Sequence, residues 1–146
     1  MNFALRRTPV PSNASDLRIA VMRLARRLRT ERASDTLTPS QLAVLATLMR
    51  EGPMCPGDLA GAERVQPPSM TRILNSLQAA GMVTKTRHPE DGRQVLYAAT
   101  GDGEQLVTRD RERRDNWLSH RLQELTEDER ATLQAAMPIL NRLALG

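Results

Sequence analysis

The order of start and stop signals along residues 37–103 leaves this chain few folds to adopt. Thr38 stands as an N-cap, Pro39 sits at the first helical position, and Gln41 closes a capping box, with Leu37 placed to staple onto Leu42. The helix so begun has an expected apolar face of Leu42, Leu45, Ala46 and Met49, and Gly52 followed by Pro53 ends it. A short helix follows at roughly 56–63, weakened by Gly57 and Gly61. After a turn at 64–66, Pro67 opens a further helix to Ala80, where Gly81 suits a left-handed cap. The period then changes. Two β-prone runs, 83–87 and 94–99, flank the turn HPEDGR, in which Asp91-Gly92 is a favoured pair, so a hairpin is expected. Two short helices joined by a tight turn and followed by a hairpin make a winged helix-turn-helix, whose second helix fits the major groove of DNA.

The flanks carry a different pattern. Residues 1–14 hold two prolines and two asparagines without apolar period and read as a loose arm. Leu17, Ala20, Val21, Leu24 and Leu28 then recur at three and four residues, predicting an amphipathic helix from about Ser15 to Arg32, with arginines on its other faces. Thr100 caps a long helix to about Leu125. Its stretch RDRERRD, 109–115, holds no apolar residue and is expected to run through solvent, before Trp117, Leu118, Leu122 and Leu125 restore a stripe. Thr126 and Glu129 form a second capping box for a helix with Leu133, Ala136, Met137 and Leu140 inward, and Pro138 is expected to kink it. The fold class is thus mainly α with a small β-wing: a flexible arm at 1–14, dimerisation helices at 15–36 and 104–146, and a winged helix-turn-helix at 37–103. Two fates of the terminal stripes stand open, burial in a homodimer or packing on one another within one chain.

Composition removes other functions. A chain of 146 residues makes one domain or two very small ones and buries roughly two-thirds of its surface without staples. No apolar run nears the roughly 18 residues of a membrane span, and MNFALRRTPVPS has an arginine pair but no apolar stretch behind it, so the expected location is the cytoplasm. The single Cys55 cannot close an internal disulfide, and with His88 and His120 it matches no zinc spacing, so neither metal nor cofactor is expected. Nothing nearby in sequence activates Cys55 as a redox sensor. No nucleophile, base and orienting acid fall in a recognisable arrangement, which argues against an enzyme. Only Phe3, Tyr97 and Trp117 are aromatic, too few to stack single-stranded bases. The net charge is +4, and 20 of the 21 basic residues are arginine. Arginine suits phosphate and guanine, although a G+C-rich genome produces the same excess.

On the helix at 67–80, Met70, Ile73, Leu74 and Leu77 form an inner face. At about 100° per residue the opposite face carries Pro68, Arg72, Asn75 and Ala79, flanked by Ser69, Thr71, Ser76 and Gln78. Arg72 suits bidentate pairing with guanine; its alternative is a structural ion pair to Asp91. Ser69 and Asn75 are weaker readers, or polar side chains that meet only water. Pro68 suits a thymine methyl, while Thr71 and the helix N-terminus suit phosphate.

The order helix, short helix, PPSMTRILNSLQAAGMV, then a wing with EDGR and ATGDG resembles the MarR family of transcriptional regulators, closely over 38–103 and in placement only at the flanks. That resemblance implies a dimeric winged-helix regulator, more often a repressor, whose terminal helices form the dimer and whose wing Asp-x-Arg element, here Asp91 and Arg93, supports DNA contact. It also implies a small, often aromatic or phenolic ligand between the dimer helices and the winged helix. A symmetric dimer sets two recognition helices roughly 34 Å apart on double-stranded DNA and reads a pseudo-palindromic operator. Arg93 at a hairpin tip suits the negative potential of a narrow minor groove, and Asp91 is expected to hold a neighbouring guanidinium, Arg72 or Arg87. Many members of the family have a second arginine where Gly92 stands, so this wing contributes less. The competing function is a winged-helix module that contacts protein rather than DNA.

Overall fold

The computed structural model describes residues 11–32 and 36–146. Among these the chain forms α1 (Pro11–Thr30), α2 (Pro39–Glu51), α3 (Pro56–Glu63), α4 (Pro67–Ala79), β1 (Val83–Arg87), β2 (Val95–Ala99), α5 (Gly101–Gln123) and α6 (Glu127–Leu145). The expected arm is shorter than its composition suggested: residues 11–14 already belong to α1, which opens on a proline where no intrahelical N–H bond is required. The rest of the arm, 1–10, lies outside the described residues.

The capping box of α2 is complete. Thr38 Oγ1 accepts from the Gln41 N–H at 3.2 Å, and Gln41 Oε1 accepts from the Thr38 N–H at 2.8 Å, an arrangement worth about 1 kcal/mol. The expected inner face of α2 needs correction. Leu42 and Leu45 are buried, but so are Val44, Thr47 and Leu48, while Met49 is exposed. The helix is enclosed on more than one side by α3, α4, α5 and β2, so a single apolar stripe does not describe it. Thr47 donates its hydroxyl proton to the Glu63 carboxylate and so ties α2 to the end of α3.

Leu45, Leu59, Met70, Leu74 and Leu77 fill the centre of the winged-helix core, each contributing roughly 1.5–3 kcal/mol by its burial. Between α3 and α4 the backbone turns through Arg64 at φ 53°, ψ 43°, the one positive-φ residue other than glycine among those described. That conformation costs an ordinary residue about 1–2 kcal/mol. The end of α4 follows the glycine rule instead: Gly81 at φ +73° lets its own N–H reach Gln78 O at 3.0 Å and the Met82 N–H reach Leu77 O at 2.9 Å.

The hairpin pairs Val83 with Ala99 through to Arg87 with Val95. Its inner strand is extended by one residue of the α2–α3 connection, since Met54 and Tyr97 exchange both backbone hydrogen bonds at 3.0 and 2.9 Å. At the start of α5 the chain passes very close to the α4–β1 turn. Thr100 donates its backbone N–H to Met82 O at 2.9 Å and its hydroxyl to Gly81 O at 2.7 Å. Gly103 then lies against Met82, with no room for a side chain.

One expectation about the flanks is also corrected. The stretch 109–115 does not run wholly through solvent: Asp110 is 4% exposed and pairs with Arg114 at 2.9 Å, where α5 crosses α2 and the end of α1. A lone polar residue one turn beyond Val107 follows the inner face of α5, and the i, i+4 arginine supplies the opposite charge. The apolar stripes of the terminal helices are not inward within the chain. Leu17, Val21 and Leu24 on α1 and Leu133, Met137 and Leu140 on α6 are all exposed, and no described residue of α6 is buried. Mutual packing within one chain therefore does not cover them. The α6 helix continues unbroken through Pro138. Trp117 links α5 to α1, its ring centre 5.1 Å from the guanidinium carbon of Arg27 on α1 and 5.7 Å from that of Arg121 on α5.

Candidate nucleic-acid interface

Burial of Met70, Leu74 and Leu77 fixes the rotation of α4 about its axis, and the same rotation turns Pro68, Thr71, Arg72 and Asn75 out to solvent. Ser69 lies on the flank and is half-buried. Arg72 makes no hydrogen bond or ion pair with any described residue, so its guanidinium is available to a ligand. The hydroxyl of Thr71 donates back to Pro67 O at 3.1 Å and must leave that bond before it can donate to a phosphate.

The N-terminus of α4 is poorer in donors than a helix start usually is. Pro67 and Pro68 have no N–H, and the next two amides, of Ser69 and Met70, are both directed at Gln66 O, at 3.0 and 3.1 Å. The side chain of Gln66 provides no cap. The Met70 bond is the ordinary first bond of a helix, so of the amides expected to meet a phosphate there, those of Pro67 and Pro68 are absent and that of Ser69 is engaged.

In the wing, Asp91 does not form the expected ion pair with Arg72 or Arg87; among the described residues neither arginine is paired with it. The Asp91 carboxylate instead accepts from the Arg93 N–H at 3.1 Å, and Asp91 O accepts from the Gln94 N–H at 3.0 Å. A short aspartate side chain closes this turn on its own backbone more readily than it reaches another element. His88 completes the turn, since its Nδ1 accepts from the amides of Glu90 and Asp91, both at 3.1 Å. The side chains of Arg87 and Arg93 are left exposed on this frame. The turn end of the wing is tied to the start of α3 through Cys55, whose thiol donates to Gln94 Oε1 at 3.2 Å.

The structure therefore gathers Pro68, Thr71, Arg72 and Asn75 on one exposed helix face, and Arg87, Asp91 and Arg93 at the tip of one hairpin. Three residues were missed by sequence reasoning: His88 as organiser of the wing, Lys85, whose ammonium lies 6.0 Å from the Tyr97 ring centre, and Arg64. Only Arg64 left a signal, as a non-glycine residue at a helix break in a chain that puts Gly52 and Gly81 at two of the others.

With this geometry in view, the likeness to known proteins is specific. Residues 37–95 match the MarR family. The chain is 48% identical over 127 residues to the HTH-type transcriptional regulator Mb0904 of Mycobacterium bovis, covering 87% of this chain and 89% of that protein. It is 31% identical over 99 residues to the multiple antibiotic resistance protein MarR of Salmonella typhimurium, covering 67% and 69%. Among solved structures, a transcriptional regulator protein of Pseudomonas aeruginosa superposes with a TM-score of 0.82 at 35% identity, over 91% of this chain and 94% of that one. Likeness of fold alone extends to a mutant of S. aureus MepR bound to an oligodeoxyribonucleotide, with a TM-score of 0.71 at 18% identity, over 90% and 98%. The chain belongs to the MarR family of winged helix-turn-helix transcriptional regulators.

Proposed function

We propose that the protein is a homodimeric, sequence-specific DNA-binding repressor that a small-molecule ligand releases from its operator. The observation that carries this reading is the exposed outer face of α4, where Arg72 projects with no partner among the described residues. In this reading Arg72 pairs with guanine, Asn75 and Ser69 read neighbouring base edges, Pro68 touches a thymine methyl, and Thr71, Arg87 and Arg93 meet the backbone or minor groove. Asp91 acts through the turn it closes. MepR, alike in fold, is known bound to an oligodeoxyribonucleotide, which supports this docking.

The dimer is supported by the exposed stripes of α1 and α6, which flank an apolar groove lined by Leu17, Val21, Leu140 and Leu143. Covering them with the same stripes of a second copy removes apolar surface too extensive for a monomer to leave in water. The ligand is supported by a cavity of about 240 Å³ where α1, α2 and α5 meet, lined by Leu42, Ala43 and Val107, by the Asp110–Arg114 ion pair, and by Arg29 and Arg111, which leave it net positive. Such walls suit a small aromatic anion. To release DNA, that ligand must favour the incompetent state by a few kcal/mol.

The test is to select bound fragments from genomic DNA with purified protein and to sediment the protein alone and with the selected duplex. A pseudo-palindromic site and a dimer are expected. Failure to retard any fragment at low salt, DNA around its own gene included, refutes the reading and leaves a winged-helix module for protein contact. Within the reading, Arg93→Ala is expected to weaken selected and random duplexes by similar factors and to lower the salt slope by about one for each half-site. Titrations across a salt series check this. A loss confined to the selected duplex contradicts the backbone role of Arg93.

A further inference from the structure

A recognition helix must be held against the DNA backbone near its N-terminus for its side chains to stand in register with base edges. In this chain the first turn of α4 has few amides of its own to offer, because Pro67 and Pro68 have no N–H and the Ser69 N–H is directed at Gln66 O. A side chain has to supply the positive charge. The nearest arginine in the chain on the entry side of α4 is Arg64, three residues before Pro67, and it occupies the turn between the two helices of the motif.

The circumstances of Arg64 are unusual. Its backbone is held in the left-handed region by the bonds around it, Arg64 N–H to Gly61 O at 3.3 Å and Val65 N–H to Ala60 O at 3.0 Å, and by Val65, which packs on the core. Glycine is the residue that fits this conformation without strain, and the chain uses glycine at positive φ after α4, at Gly81. The arginine side chain is exposed and makes no hydrogen bond or ion pair with any described residue. A cation at the end of α3 gains something from the helix dipole, yet that gain asks only for positive charge near the last carbonyls.

We infer that Arg64 is a backbone anchor, a phosphate-binding side chain that replaces the missing amides at the start of α4 and sets the register of the recognition helix on DNA. The inference rests on the DNA-binding reading above. It adds a contact that carries no base information, so affinity depends on it and sequence preference does not.

The experiment compares Arg64→Gly, Arg64→Asn and Arg64→Lys in the full chain, measuring melting temperature and affinity for the selected operator and for a random duplex of equal length across a salt series. Glycine and asparagine both tolerate the left-handed backbone, so neither is expected to unfold the turn. Both variants are expected to bind each duplex roughly tenfold more weakly at low salt, with the slope of log K against log salt smaller by about two for a pair of half-sites. Arg64→Gly is expected to melt no lower than the wild type, and Arg64→Lys to keep affinity and slope. If Arg64→Gly and Arg64→Asn bind like a wild type that does retard DNA, the anchor is refuted and the DNA-binding reading stands. Weaker binding together with a lower melting temperature in both variants also refutes it, since the role is then structural. A wild type that binds neither duplex refutes both readings.

Discussion

Arg72→Ala is expected to flatten the sequence preference of the protein while leaving most of its affinity for random DNA. A bidentate arginine–guanine contact carries about 1–3 kcal/mol of discrimination, and a two-fold complex makes that contact twice. The selected operator should therefore bind roughly thirtyfold more weakly at the lower end of that range, and much more weakly at the upper end. Base substitutions at the guanine should cost the variant almost nothing. Competitive binding between the operator and duplexes changed at single positions measures this directly. The expectation follows from an exposed guanidinium on a helix whose other side is locked by Met70 and Leu77, both 0% exposed, so the side chain is presented on a fixed frame. Equal weakening on every duplex instead moves Arg72 to the phosphate backbone and leaves the base reader to be sought at Asn75.

Gly103→Ala is expected to be the most damaging small substitution in the winged helix. A methyl group there comes within 2.3 Å of Met82 O and 3.2 Å of the Leu45 side chain. The Met82 carbonyl cannot move aside, because it also accepts the Thr100 N–H at 2.9 Å. Separating α5 from the α4–β1 turn is expected to cost about 3 kcal/mol and to lower the melting temperature by roughly 10 °C. Gly61→Ala is the control. Nothing lies within 4 Å of its added methyl group, and an ordinary helical position gains up to about 1 kcal/mol by the change. Thermal melts of the two variants should shift in opposite directions. A neutral Gly103→Ala contradicts the close packing of α5 on the turn.

Much of this fold is legible in the sequence because its determinants are local. Thr38 with Gln41, Thr126 with Glu129, Pro56, Pro67 and Gly81 act through neighbours one to five residues away, and each of the elements they bound begins or ends within a residue or two of its expected place. Face assignments were legible where a helix has one buried side, as on α4, where the outer face could be drawn from the position of Met70, Leu74 and Leu77. They were not legible on α2, since Val44, Thr47 and Leu48 are buried by elements that reach α2 from other parts of the chain. Asp110 shows the same limit from the polar side. Its burial depends on where α5 crosses α2, and no local pattern in 109–115 records that crossing. The turn of the wing lies where Asp91-Gly92 places it, but the partner expected for Asp91 was wrong because the carboxylate finds backbone two residues away. The left-handed Arg64 has no helical period to reveal it.

The tight seating of Gly103 on the α4–β1 turn has one more consequence. The turn after α4 and the beginning of α5 share hydrogen bonds and leave no gap, so α5 is a lever joined rigidly to α4, the helix proposed to read DNA. With 23 residues it is about 34 Å long. A tilt of roughly five degrees imposed at its far end, near Trp117 and the terminal helices, displaces α4 by about 3 Å, close to the rise of one base pair.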